Sequence, residues 1–463
     1  MKEIRTKHIG FTAQLFLFLA VFSYGVRAQN PIVQTYYTAD PAPMVYGDKV
    51  YMYTTHDQDT ASTFFRMYDW RAYSTDDMVN WTDHGSILSL DSITWGNDRA
   101  WAAQTVARND KFYLYFCALN EKKNKMSIGV AVSDNPEGPF KDALGTSLVD
   151  AEWGDIDPTV LIDDDGEAYM YWGNPNLHYV KLNDDMLSYD QEVGIVKVPV
   201  TPESFGPGGK RNPERGGYVE GPWLHKRKDL YYLLYPAGGI PEHLAYSTSE
   251  SPTGPWKYQD TIMPVIQEGG AFTNHPGLIE FKGQPYLFYH NGDLPGGQGF
   301  RRSVCAVDFE FNADGSIPLI EHSREGITKA VKNLNPYQRV EAETIAWSEG
   351  VKTDQNDEVG VFVNQIHDGD YIKVRAVDFG KKSPKKFFAH LAGGVAGSTI
   401  EIRLDGVDQQ LIGTLTVPAS GNREQYKEIS TKIDGAKGIH DLYLVFKGTA
   451  KEELFNFDSW YFK

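Results

Sequence analysis

Residues 157–173 read DPTVLIDDDGEAYMYWG. An acid and a proline open the stretch, a short apolar run follows, Asp165-Gly166 interrupts it, and an aromatic run leads away. Asp-Gly between two such runs marks a tight hairpin turn, because the backbone there must adopt positive φ. The same grammar recurs four times. It reads DPAPMVYGDKVYMYTT from Asp40, WAAQTVARNDKFYLYFCA from Trp101, EGPWLHKRKDLYYLLYPA from Glu220 and HPGLIEFKGQPYLFYHN from His275. Alternating runs such as KFYLYF, and turns such as Lys282-Gly283, repeat the hairpin reading.

The copies recur every 55 to 65 residues or so, the length of one four-stranded propeller blade with its connecting loop. Further strands fall where the outer half of a blade belongs: RAYSTDDMVNWTDHG, MSIGVAVSDNPEGPF and EHLAYSTSESPTGPW. No long 3.6-residue periodicity appears. The fold class predicted is all-β, a five-bladed β-propeller followed by a β-sandwich (jelly-roll) module.

The first residues of the five copies are Asp40, Trp101, Asp157, Glu220 and His275. Equivalent starts of innermost strands converge at one mouth of a propeller channel. Three carboxyls, a Trp and a His then share one pocket. Asp-Pro and Gly-Pro pairs also mark ordinary turns, and any one of these acids read alone fits that description. Three acids at one phase of a repeat point to chemistry instead. Cleaving a glycosidic bond needs one carboxyl that holds a proton for the leaving oxygen and another that is ionised. A third carboxylate nearby raises the proton affinity of the acid.

On YTADPAP, DIDPTV and VEGPW the sequence resembles glycoside hydrolase family 43. The resemblance implies Asp40 as general base, Glu220 as general acid and Asp157 as the residue that tunes the acid, with inversion at the anomeric carbon. It also implies substrate contacts from Trp101 and from Arg302 in FRRSV, where neighbouring Arg301 leaves the assignment open by one residue. His275 resembles an axial His that approaches an ion, often calcium; a hydrogen-bonded His without metal is the alternative. The implied activity is exo-acting release of L-arabinofuranose from arabinoxylan or its oligosaccharides. A β-xylosidase or endo-arabinanase would use the same acids, and a non-catalytic lectin is the alternative of another class.

The aromatic hairpins stop near Asn335, and short alternating strands follow, such as KFFAHLAGG and IHDLYLVFKG. VEAET, DGDYI, EIRLDG and LFNFDSWYF resemble a carbohydrate-binding module of family 6. That likeness implies a structural calcium held by Glu341, Glu343 and Asp458 and a ligand-contacting Asn456. Of the two aromatics that often sandwich a sugar in that family, one position falls at Gln365 and the other near Arg423 or Tyr426. These replacements predict weaker stacking. No organic cofactor is expected.

A basic start (Lys2, Arg5, Lys7), an apolar stretch and Val26-Arg27-Ala28 before Gln29 predict a signal peptide and a secreted protein, periplasmic or extracellular. The expected organisation is residues 1–28 signal peptide, 29–326 propeller, 327–337 linker and 338–463 sandwich, with no membrane span after signal cleavage. The formal charge of -17 and the absence of a basic stripe make nucleic acid a poor partner. The expected partner is plant cell-wall polysaccharide: arabinoxylan, xylan or arabinan. Cys117 and Cys305 lie in apolar strand-like runs and read as buried free thiols.

Overall fold

The computed structural model describes residues 29–463 apart from 210–212, 268 and 450, so the expected signal peptide, 1–28, lies outside the described residues. The regular secondary structure of the described residues is almost wholly β-strand, as expected. Each hairpin read from the sequence opens one antiparallel sheet. The first sheet runs Tyr37–Tyr46, Lys49–Asp57, Asp69–Thr75 and Trp81–Ser89. Three sheets of four strands start at Gly96–Arg108, Thr159–Ile162 and Trp223–Arg227, and one of three strands starts at Gly277–Phe281. The five opening strands touch one another in cyclic order, the last against the first.

Burial explains why the inner strands do not alternate strictly. Each sheet is covered on both faces by its neighbours, so Tyr37–Tyr46 is buried almost throughout, while the outer strand Lys257–Met263 is mostly exposed. Tyr53, Trp70, Phe116, Leu234 and Tyr289 belong to the apolar mass between the sheets. The three-stranded sheet is closed by the start of the described chain. The Ile32 N–H donates to Val304 O at 2.8 Å, and the Asn30 amide bonds both backbone groups of Ala306 at 3.0 Å.

The C-terminal module packs a sheet built around Asn456–Phe462 and Lys386–Ala392 against one built around Ile439–Lys447 and Thr399–Leu404. Phe387, Phe446, Trp460 and Phe462 fill the space between them. The expected linker is a docked segment. Val331 N–H donates to Asp77 O at 3.0 Å, Leu334 bridges to Val377, and Arg375 Nη1 donates to Ile327 O at 3.0 Å. The module also adds Thr344–Ile345 to the outer edge of the first sheet, against Trp81 and Thr82. That covers an edge whose unpaired N–H and C=O groups would otherwise face water. Beside it, Thr353 Oγ1 donates to Asp83 Oδ2 at 2.6 Å, and Asp83 is itself paired with buried Arg71 at 3.0 Å. Cys117 and Cys305 are buried free thiols.

Candidate active site

The backbone aims the acids. Asp40 sits where the register between the first two strands slips, between Ala39 and Ala42, and its φ is 52°. Asp157 has φ 59°. A left-handed non-glycine residue costs about 1–2 kcal/mol, and such residues concentrate at functional sites. In the fourth sheet the left-handed position before proline is Gly221, φ 52°, and the acid is one residue earlier at Glu220. The copies are therefore not in strict phase. Asp40 and Asp157 stand on the strained residue itself, whereas Glu220 stands beside it.

The three acids, Trp101, His275 and Arg302 all line one cavity of about 230 Å³. One wall is apolar: Phe64, Phe65 and Trp101 stand with ring centroids about 6 Å apart, and the Arg99 guanidinium lies 5.1 Å from Phe64 and 5.5 Å from Trp101. Trp153 and Ile240 carry the lining out to the surface, where they are largely exposed. Arg302, rather than Arg301, points inward. Arg301 is held outside by the carbonyls of Gly296 and Ala61.

The acid environments differ. Arg302 Nη1 donates to Asp40 Oδ1 at 3.2 Å and Thr55 Oγ1 donates to Asp40 Oδ2 at 3.1 Å. Burial works to raise the Asp40 carboxyl, but Arg302 and the other neighbours outweigh it and hold Asp40 below its ordinary value. Asp40 is ionised. Glu220 accepts from the Asn174 amide. Burial, opposed by that bond and reinforced by the Asp40 charge, pushes Glu220 up to about 7. Asp157 is raised well above the carboxylate range by burial, then by Glu220 and Asp40, despite accepting the Gly221 N–H at 3.0 Å. Asp157 and Glu220 titrate as a pair that keeps a proton near neutral pH.

Several residues of the site were not singled out in the sequence. Buried Asp57 holds Arg302 with Oδ2 on Nε at 2.9 Å and Oδ1 on Nη2 at 3.0 Å. His290 accepts the Asp40 N–H on Nδ1 at 3.2 Å, and its Nε2 lies 3.0 Å from Thr273 O, a carbonyl that only an N–H can satisfy. The proton is thus on Nε2, and burial pushes His290 down to about 3, so the ring is neutral. Thr55, Asp57, Asn174 and His290 share one signal. Each falls at or just past the end of the second, aromatic strand of a hairpin. Antiparallel pairing returns that end to the start of the first strand, as Thr55 opposite Ala39 shows.

The family model described as "Glycosyl hydrolases family 43" matches residues 28–317. The chain belongs to glycosyl hydrolase family 43. It is 33% identical to an arabinoxylan arabinofuranohydrolase of Bacillus subtilis (strain 168), over 94% of this chain and 92% of that protein. It is 32% identical to xylosidase/arabinosidase 43A of Humicola insolens, over 62% of this chain and 98% of that protein. Among solved structures, a family-43 arabinoxylan arabinofuranohydrolase from Bacillus subtilis in complex with cellotetraose superposes with a TM-score of 0.81. That match covers 94% of this chain and 97% of the other at 31% identity. A family-43 β-xylosidase/α-arabinofuranosidase from a compost metagenome, in a calcium-free form with xylotriose, gives 0.56 at 31% identity over 64% of this chain and 97% of its own. This family-43 chain is a glycoside hydrolase with a β-propeller domain.

The model described as "Carbohydrate binding module (family 6)" matches residues 341–463. Its predicted site residues lie in the sandwich, apart from the cavity. Asn456 does not face an open cleft: its amide is taken on both sides by Arg423, which also pairs with Glu453 at 3.1 Å. Tyr426 is buried against Phe362 and His390. The predicted calcium ligands meet a cation of the chain itself. Arg339 spans Glu341 and Asp458 at 2.9 Å from each, supplying the positive charge between them. Glu343 sits beside Asp83 with Oε2 buried and unpartnered. Burial and the charges of Glu341, Asp83 and Asp458 raise the Glu343 carboxyl well above its ordinary value, so the three acids stand within electrostatic reach of one another. His275 Nδ1 lies 3.7 Å from the Asp40 oxygen that Arg302 also contacts. No group of three or more His, Cys, Asp or Glu side chains among the described residues is arranged for a metal.

Proposed function

We propose that this family-43 enzyme releases L-arabinofuranose from arabinoxylan or its oligosaccharides, with inversion at the anomeric carbon. One observation carries the reading: a single cavity holds an ionised carboxylate, Asp40, and a carboxyl pair, Glu220 and Asp157, that keeps a proton near neutral pH. Glu220 protonates the glycosidic oxygen as the bond breaks. Asp40 takes a proton from the water that attacks the anomeric carbon from the opposite face. Inversion needs the two carboxyls about 6.5–9.5 Å apart, with the water between. Asp157, raised along with Glu220, shares that proton and tunes the acid. Trp101 and the neighbouring rings cover the apolar face of the sugar, and Arg302 steadies Asp40.

Similarity to an arabinoxylan arabinofuranohydrolase over nearly the whole chain supports arabinose as the sugar released. A xylosidase/arabinosidase relative supports β-xyloside hydrolysis as the second reading. The five sheets, whose first strands touch in a ring, are read as five blades around this cavity. Plant cell-wall polysaccharide is the proposed partner, which a secreted protein would meet. No helix among the described residues is long and apolar enough to cross a membrane.

The test is to incubate arabinoxylan with wild type and with Glu220→Gln and to identify the released sugars by chromatography. Arabinose from wild type and none from the variant is expected. Xylose in place of arabinose selects the second reading, and no sugar from wild type contradicts both.

A further inference from the structure

Glu242 is a buried carboxyl that the proposed reaction does not use. It is 3% exposed, it begins the segment that enters strand His243–Ser249 of the fourth sheet, and it does not line the cavity. Its contacts reach the fifth sheet. The Glu242 N–H donates to Phe272 O at 3.1 Å, and Glu242 Oε2 accepts the Asn274 N–H at 2.9 Å. Asn274 Oδ1 in turn accepts the N–H of His275 at 2.9 Å and of His290 at 3.3 Å. Thr273, in the same segment, presents Oγ1 to Arg302 Nη1 at 3.4 Å and its carbonyl to His290. The groups that reach Asp40 from the fifth sheet, His275, His290 and Arg302, therefore each belong to or bond the segment that Glu242 grips, Arg302 being held by Asp57 as well.

We propose that Glu242 is a positioning residue that fixes segment 272–275 against the sheet carrying Glu220, and so sets Thr273, His275 and Arg302 around Asp40. The role rests on the acid and base assignment above.

Glu242 does this as a neutral acid. Burial, then the negative charges of Glu220 and Asp157, raise it well above the carboxylate range, against the single Asn274 N–H that favours the anion. The cation that acts on it is Arg302, which is already shared by Asp57 and Asp40. Glu242 Oε1 has no partner, a state far less costly for a neutral carboxyl than for a carboxylate. A glutamine has the same shape, is neutral at every pH and can still accept the Asn274 N–H.

The experiment compares full-length wild type, Glu242→Gln and Glu242→Leu. Hydrogen exchange of the peptide that contains 272–275 reads the grip without turnover. Turnover of a nitrophenyl arabinofuranoside across pH reads its effect on Asp40. Glu242→Gln is expected to keep the exchange protection, kcat within twofold and both limbs of the pH profile. Glu242→Leu is expected to lose protection in that peptide and at least tenfold in kcat. Its acid limb should move to higher pH, because a displaced Arg302 no longer favours ionised Asp40; packing loss alone would not move that limb. A folded Glu242→Leu with wild-type protection and acid limb overturns the proposal. So does a Glu242→Gln that is as impaired as Glu242→Leu, and that arm decides alone if Glu242→Leu does not fold. A wild type inactive on pentosides would defeat the functional reading, and the exchange data would still decide the grip.

Discussion

Asp157 reaches from the third sheet to the fourth: its Oδ2 accepts the Gly221 N–H at 3.0 Å, one residue past Glu220. One carboxyl thus ties down the backbone that carries Glu220 and, in the proposed reaction, tunes the acid. Asp157→Asn keeps an acceptor for Gly221 and removes the ionisable group that shares the proton with Glu220. We expect kcat to fall by roughly 10²–10³, the scale of a group acting on a general acid. The alkaline limb of the pH–rate profile should move to lower pH, because Glu220 loses a neighbour that favours its protonated form. An unmoved limb contradicts the role given to Asp157.

The wild-type profile follows from the two directions of shift. In the proposed reaction Glu220 works protonated, and it is pushed up to about 7, so kcat/KM should decline as pH rises through that region. Asp40 works ionised and lies below its ordinary value, so activity should persist to pH values at which an ordinary carboxylate is already half protonated. A profile rising from pH 7 to 9 would be the opposite outcome.

Asp57 and Arg302 form a buried pair joined through two side-chain oxygens and the Arg302 N–H at 2.8 Å. Removing one partner of such a pair typically costs about 3–5 kcal/mol. Asp57→Ala should lower stability in urea unfolding by an amount of that order and impair turnover as well. A loss under about 1 kcal/mol, the range of exposed pairs, would show that Arg302 does not depend on Asp57.

Trp153 lines the cavity yet is 57% exposed, so it has little to contribute to the core. Trp153→Ala should leave the melting temperature nearly unchanged. If the ring stacks on sugars outside the reacting one, KM on arabinoxylan should rise by roughly 2- to 12-fold, the equivalent of about 0.5–1.5 kcal/mol for an aromatic contact. A nitrophenyl arabinofuranoside, which does not reach that far, should be unaffected. Equal changes on both substrates would place the ring at the reacting sugar instead.

The hairpins and the convergence of Asp40, Asp157, Glu220, Trp101 and His275 were legible because a repeat multiplies a weak local signal. Two things were less so. The offset of Glu220 by one residue depends on backbone conformation, φ 52° falling on Gly221 where the first and third copies place Asp40 and Asp157. Asp57, Asn174 and His290 stand at strand ends, and their placement follows only when antiparallel pairing folds those ends back onto the strand starts. Glu242 immediately precedes the third strand of its sheet and meets the site through Asn274, a contact between sheets that no local pattern encodes. In the sandwich, local likeness located the strands. It did not reveal that Arg423 fills the space before Asn456 or that Arg339 spans Glu341 and Asp458.

The most direct test of water activated by Asp40 opposite a proton from Glu220 is proton NMR of the sugar as it first forms. Wild type is followed on an α-L-arabinofuranoside before mutarotation sets in. Direct displacement predicts the β-anomer of L-arabinofuranose first, with the α-anomer growing in afterwards. The α-anomer appearing first would mean a covalent intermediate and two displacements, and would contradict the assignment of Asp40 as the base.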